Sequence, residues 1–191
     1  MKKLAIFGSG SGGNAENICD YFANSSDIEV VFICTNNKAA FIVKRAEKLN
    51  IPIIYTTKDD LTNFNNLRKI LSEYNVDYII LAGFLLKLPS KMVNSYPKKI
   101  INIHPSLLPK YGGKGMYGKN VHSAVIDHNE MYSGITIHYV NENYDDGAII
   151  FQYPYKIKKE ETPESLGRAV QKIEHRCFPL VLEKIIKSQL S

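Results

Sequence analysis

Short β-branched or aliphatic runs recur along the first half of the chain: "KLAIFG", "IEVVFICT", "PIIY", "DYIILAG" and "KIINIH". Between the early runs lie stretches of helical period, residues 14–24, 38–49 and 60–74. Apolar strands alternating with amphipathic helices predict βαβ units, with right-handed crossovers and a parallel sheet. After "KIINIH" the pattern changes. A glycine-rich loop and a helix from about Asn120 to His128 lead to "SGITIHYV" and "GAIIFQYP", which are separated by a polar turn. Those two runs predict antiparallel pairing added to the parallel core.

The last segment carries a helix start signal, with Thr162 suited to the N-cap, Pro163 to the first helical position, and Glu164 and Ser165 following in the first turn. Leu166, Val170, Ile173 and Cys177 recur on one face, which should pack on the sheet. Pro179 falls inside this pattern and has no N–H for the carbonyl of His175, so the helix is expected to kink or divide there. The fold class read from these elements is α/β, a mostly parallel central sheet with helices on both faces and antiparallel pairing in the C-terminal half.

Composition adds bounds. The 191 residues suffice for one well-buried core, and one domain over 1–191 is expected. Apolar residues at 45% and charged residues at 23% are ordinary for a globular chain, leaving little room for disorder. No stretch reaches the roughly 20 apolar residues that span a membrane. Met1-Lys2-Lys3 runs straight into a strand rather than a secretory segment, so a cytoplasmic protein with no membrane partner is expected. Cys19, Cys34 and Cys177 form no CxxC pair, which argues for buried reduced thiols over a disulfide framework or a zinc site. The net charge of +5 favours anionic small molecules, but Lys156, Lys158, Lys159 and Lys184 are scattered, and no nucleic-acid partner is expected.

Two stretches carry chemistry. "GSGSGGN", residues 8–14, joins the first strand to the first helix, and Gly8, Gly10 and Gly13 match the spacing G-x-G-x-x-G. Glycines admit a ligand to the backbone, and the free N–H groups of the helix start attract an anion. A dinucleotide site also needs an acid at the end of the second strand. Here that strand ends with Asn36 and Asn37, while Glu29 stands at its beginning, so the loop suits a single phosphate. In "INIHPSLLP", Asn102 and His104 alternate with Ile101 and Ile103 and share one side of a strand end, beside the same crevice. An amide donor beside a group titrating near neutrality suits acyl transfer. Viewed alone, His104 is equally well read as a sheet-end residue bonded to backbone. Asp145 and Asp146 sit in a later turn with Glu142 close by; such acids are commonly just solvated, yet a carboxylate near His104 would raise the imidazole pKa. No ligand cluster points to a metal.

Taken together, "GSGSGGN", "LAGFLLKL", "NIHPSLLPKYGG" and "NENYDDGAIIFQ" resemble, in order and over essentially the whole chain, the phosphoribosylglycinamide formyltransferases of the formyltransferase superfamily. That resemblance implies a Rossmann-like formyltransferase fold, with a phosphate-binding half over about 1–100 and a catalytic and folate-binding half over about 101–191. It implies formyl transfer from 10-formyltetrahydrofolate, as co-substrate, to glycinamide ribonucleotide in purine synthesis. The partners implied are these small molecules, with the protein a monomer or homodimer. It assigns Asn102, His104 and Asp145 to catalysis, Ser11, Gly12, Gly13 and Asn14 to the substrate phosphate, and Glu174 to the same substrate. Leu85, Leu86, Lys87 and Leu88, with Asn102 and the turn residues Asn141, Glu142, Asn143 and Tyr144, would contact the folate. Asp145 is preferred to Asp146, which aligns with a glycine of the family pattern. Two departures stand out: Gly13 replaces the usual serine, so backbone N–H groups or Ser11 would serve the phosphate, and "GGKGMYGKN" is a longer loop than many relatives carry. Around Asp60 there is no arginine of the kind many relatives place near the folate.

Overall fold

The computed structural model describes residues 1–189. In chain order the elements are β1 (Lys2–Phe7), α1 (Gly13–Phe22), β2 (Ile28–Thr35), α2 (Phe41–Lys48), β3 (Ile53–Tyr55), α3 (Lys58–Asn63), α4 (Asn65–Glu73), β4 (Tyr78–Leu81), α5 (Ser90–Ser95), β5 (Ile100–His104), α6 (Lys119–Asp127), β6 (Tyr132–Tyr139), β7 (Ile149–Lys156) and α7 (Pro163–Lys187). The strands form one seven-stranded sheet in the order β3-β2-β1-β4-β5-β6-β7. β1 pairs parallel with β2 and β4, β2 with β3, and β4 with β5. β6 runs antiparallel to both β5 and β7. The α/β class and the change from parallel to antiparallel pairing are as the sequence predicts.

Strand alternation divides the apolar residues between two cores. Leu4 and Ile6 of β1 join side chains of α1, α2, α6 and α7 on one face. Ala5 and Phe7 join side chains of α3, α4 and α5 on the other. The strand order reverses between β1 and β4, and a ligand crevice opens at such a point, beyond the carboxyl ends of the strands. All three cysteines are buried and free of disulfide bonds. Among the described residues no helix is long and apolar enough to cross a membrane.

Three elements differ from the pattern read in the sequence. The single helix expected over 60–74 is two, α3 and α4, broken at Phe64, which takes a left-handed φ of 61°. Asn63, Asn65 and Asn66 are weak helix formers around it, and the turn buries the Phe64 ring in the second core. α5 escapes the sequence pattern because six residues are too few for a helical period to show; Met92 and Val93 bury it. Pro179 does not divide α7, which runs 25 residues from its Thr162–Ser165 capping box. The reason is Asn17 of α1, whose Nδ2 donates to the carbonyl of His175 at 2.7 Å, where proline offers no N–H.

Candidate active site

The crevice is a cleft of about 940 Å³, lined from one end by residues 10–14 and from the other by Asn102, His104 and Asp145. At the first end, Gly12 turns the chain into α1 with a φ of 74°. A Cβ there would lie 2.6 Å from Ile42 Cγ1, so the loop packs against α2 only because this residue is glycine. No side chain caps α1, which leaves its first-turn N–H groups to an incoming anion. Arg45 Nε donates to the Ser11 carbonyl at 2.9 Å and its guanidinium pairs with Glu16, which steadies the loop. Across the cleft, Glu174 of α7 accepts from Asn14 Nδ2 at 2.9 Å. Burial pushes the Glu174 carboxyl up to about 7, so near neutrality it holds a proton much of the time. A Cβ at Gly13 would stand 3.3 Å from both Gln171 Nε2 and His175 Nε2, so α7 fills the space that a serine side chain would enter. Gln171 also lines the cleft. Sequence reasoning missed it, although it sits three residues before Glu174 on the same helical face.

The other end of the cleft is built on β5. His104 is buried, 4% exposed, and Asn102 pairs in register with His138 of β6. Asn102 Nδ2 lies 3.0 Å from His138 Nε2 and donates to Asp145 Oδ1 at 3.3 Å. His138 Nδ1 stands 2.9 Å from the Tyr139 carbonyl, an oxygen that only accepts. In the neutral ring Nδ1 therefore carries the proton and Nε2 can accept from Asn102 and orient its amide; Nε2 also lies 3.7 Å from Asp145 Oδ1, to which a charged ring would turn a proton. His138 is a second site residue that sequence reasoning missed. Its signal was the alternation of Thr136 and His138 with the core residues Ile135 and Ile137, readable only with the register of β5.

Asp145 reaches this group from the turn between β6 and β7. Its Oδ2 accepts from the Gly113 N–H at 2.9 Å and lies 3.5 Å from His104 Nδ1. Burial alone would raise its carboxyl, but the neighbouring imidazoles of His138 and His104 and the Gly113 N–H hold it below the usual carboxylate range. Asp146 is exposed and accepts instead from Asn141 Nδ2 at 3.2 Å and Asn143 Nδ2 at 3.1 Å, which shapes the turn. His104 Nε2 stands 2.7 Å from the Tyr111 carbonyl. Asp145 acts on His104 in the expected sense, raising its proton affinity, but the net shift is downward. Burial pushes the imidazole below its ordinary value, outweighing Asp145 and the Tyr111 carbonyl, which act in the opposite sense.

These contacts leave the site satisfied by itself. Both Asn102 amide hydrogens and both His104 nitrogens face protein partners. A substrate oxygen gains a donor here only by displacing one of those partners.

Of the residues expected at the folate, Leu85 and Tyr144 line the cleft. They are 44% and 39% exposed, large apolar groups left uncovered at its rim. Leu86 and Leu88 turn into the second core, and Lys87 Nζ lies 5.9 Å above the Tyr144 ring. Asn141 and Asn143 hold Asp146, and Glu142 accepts from Asn94 at 3.4 Å; none of these three is in the cleft lining.

Comparison with known proteins gives the family. Residues 2–182 match the family model described as formyl transferase. The chloroplastic phosphoribosylglycinamide formyltransferase of Arabidopsis thaliana is 38% identical over 99% of this chain and 67% of its own length. The phosphoribosylglycinamide formyltransferase of Haemophilus influenzae is 34% identical over 100% of this chain and 90% of its own. Among solved structures, the phosphoribosylglycinamide formyltransferase of Bacillus halodurans superposes with a TM-score of 0.87 at 33% identity, covering 97% of this chain and 95% of that one. On this evidence of sequence and structure, the chain belongs to the formyl transferase family.

Proposed function

We propose that this protein transfers the formyl group of 10-formyltetrahydrofolate to the amine of glycinamide ribonucleotide, a step of purine synthesis. The observation that carries the reading is the convergence, in one cleft, of an uncapped helix start with the Asn102, His104 and Asp145 cluster. The phosphate would sit on the N–H groups of residues 12–14, and the ribose beside Glu174 and Gln171. The folate ring would lie against Leu85 and Tyr144, the apolar groups uncovered at the rim.

In the reaction the substrate amine attacks the formyl carbon and forms a tetrahedral oxyanion. Collapse breaks the bond to the folate nitrogen, which leaves with a proton, while the amine gives one up. Asn102 Nδ2 and His104 Nε2 are the donors available to the oxyanion once it displaces Asp145 or His138 from the first, or the Tyr111 carbonyl from the second. Asp145, held as a carboxylate, stabilises an imidazolium at His104 and accepts the amine proton directly or through water. Asn102→Ala, His104→Ala and Asp145→Ala test the assignment. Each should stay folded and lose formyl transfer, by about 10²- to 10³-fold for the Asn102 oxyanion donor. Wild-type rates in all three would remove the site.

A further inference from the structure

A cluster outside the cleft bears directly on His104. Glu130 follows α6, does not line the cleft, and accepts at the same oxygen, Oε1, from Lys110 Nζ at 2.7 Å and from Tyr111 Oη at 2.9 Å. The Tyr111 ring also packs edge-on against His128, with centroids 5.7 Å apart. Both ends of the Lys110–Tyr111 dipeptide are thereby pinned. Ser106 Oγ donates to the Lys110 carbonyl at 2.7 Å, and the next carbonyl, that of Tyr111, meets His104 Nε2 at 2.7 Å. Tyr111 takes a left-handed φ of 57°, a backbone shape that tyrosine adopts only when its surroundings impose it.

We infer that Glu130 is a positioning residue for the formyl transfer: by anchoring Lys110 and Tyr111 it places the Tyr111 carbonyl on His104 and so sets the orientation and proton affinity of that imidazole. The inference rests on the reading given under Proposed function. His104 is buried, and burial works against its charged form. The groups that face it are few. Asp145 approaches Nδ1 from the β6–β7 turn, the Tyr111 carbonyl approaches Nε2 from the loop after β5, and both favour a proton. His138 of β6 and His122 of α6 are neighbouring imidazoles whose charged forms would oppose one on His104. Among the described residues these two groups support a proton on the ring, so loss of either matters. The Tyr111 carbonyl is the one whose position depends on a distant side chain.

The test compares Glu130→Ala, Glu130→Gln and Tyr111→Phe with wild type, using the purified protein, 10-formyltetrahydrofolate and glycinamide ribonucleotide. Steady-state rates are measured across pH, and His104 is followed by imidazole ¹⁵N NMR without substrates. Glu130→Ala should lower kcat about tenfold with KM changed less than twofold, a part of the roughly 10²- to 10⁴-fold that a placed acid or base contributes. Its His104 titration should move to lower pH, together with the matching limb of the rate profile. Tyr111→Phe, which keeps the ring and the backbone carbonyl, should move both in the same direction. Glu130→Gln keeps an oxygen acceptor for the Tyr111 hydroxyl and should recover most of the rate. Unchanged kcat and an unchanged His104 titration in Glu130→Ala and Tyr111→Phe would overturn the inference. So would a loss of rate that follows thermal stability while the His104 titration stays in place. If wild type itself formylates nothing, the reading of the reaction fails instead, and the NMR titration still decides the Glu130 contact.

Discussion

The bond from Asn17 to the His175 carbonyl gives a prediction that can be worked through in full. It joins α1, which starts at the glycine loop, to α7, which carries Gln171 and Glu174 into the same cleft. In Asn17→Ala the His175 carbonyl has neither the side-chain amide nor a helical N–H, because residue 179 is proline. A polar group left without a partner in a partly buried position costs about 1–2 kcal/mol. For a chain of 191 residues, each kcal/mol moves Tm by about 2–4 °C, so a fall of roughly 2–8 °C is expected. Loss of a side chain alone could give a similar fall, and the partner substitution separates the two causes. Pro179→Ala restores an N–H at the position that serves the His175 carbonyl. In that background Asn17→Ala should cost about 1 kcal/mol less than it does in the wild type. Thermal and urea unfolding of the four proteins in this double-mutant cycle provide the assay. Equal costs of Asn17→Ala in both backgrounds would refute the reasoning, whatever the single-variant values.

Other outcomes follow from the site. His138→Ala removes the acceptor that orients the Asn102 amide, and kcat should fall about tenfold, a part of the 10²- to 10³-fold that an oxyanion donor supplies, with little change in KM; an unchanged kcat would detach His138 from the site. Glu174 has its carboxyl raised from 4.5 to about 7 by burial, so the stability linked to its neutral form is full below 4.5 and lost as pH rises through 7. The Tm of Glu174→Gln should therefore gain on that of wild type across this interval and hold level above it, and a gap that is flat with pH would contradict the assignment. Gly12→Ala places a Cβ within 2.8 Å of the Ile42 backbone at a φ of 74°, and it should weaken ribose 5-phosphate binding by at least tenfold in calorimetry.

Much of the fold is legible in the sequence because its strands are nearly continuous apolar runs, and a parallel sheet buried on both faces demands such runs. The pairing of Asn102 with His104 follows from alternation alone. What stayed hidden depends on contacts between segments far apart in the chain. Phe64 breaks a helix without glycine or proline, because burying its ring outweighs the local period. Pro179 leaves α7 whole because a side chain from α1 stands in for the missing donor. His138 is invisible until β6 is placed beside β5 in register. Asp145 raises the proton affinity of His104 as expected, yet the net shift is downward, since a neighbouring carboxylate is readable from a motif but the depth of burial is not. The family resemblance prefers Asp145 to Asp146, and the turn separates the two acids physically, with one directed at the imidazoles and the other at Asn141 and Asn143.

The central claim is that Asn102, His104 and Asp145 form an acyl-transfer site served by the phosphate loop across the cleft. Its most direct test is incubation of the purified protein with 10-formyltetrahydrofolate and glycinamide ribonucleotide, followed by mass spectrometry of the ribonucleotide. The account predicts a product heavier by one formyl group, formed by wild type and absent with His104→Ala. A folded wild-type protein that leaves the ribonucleotide unchanged, or an equal yield from His104→Ala, would contradict it.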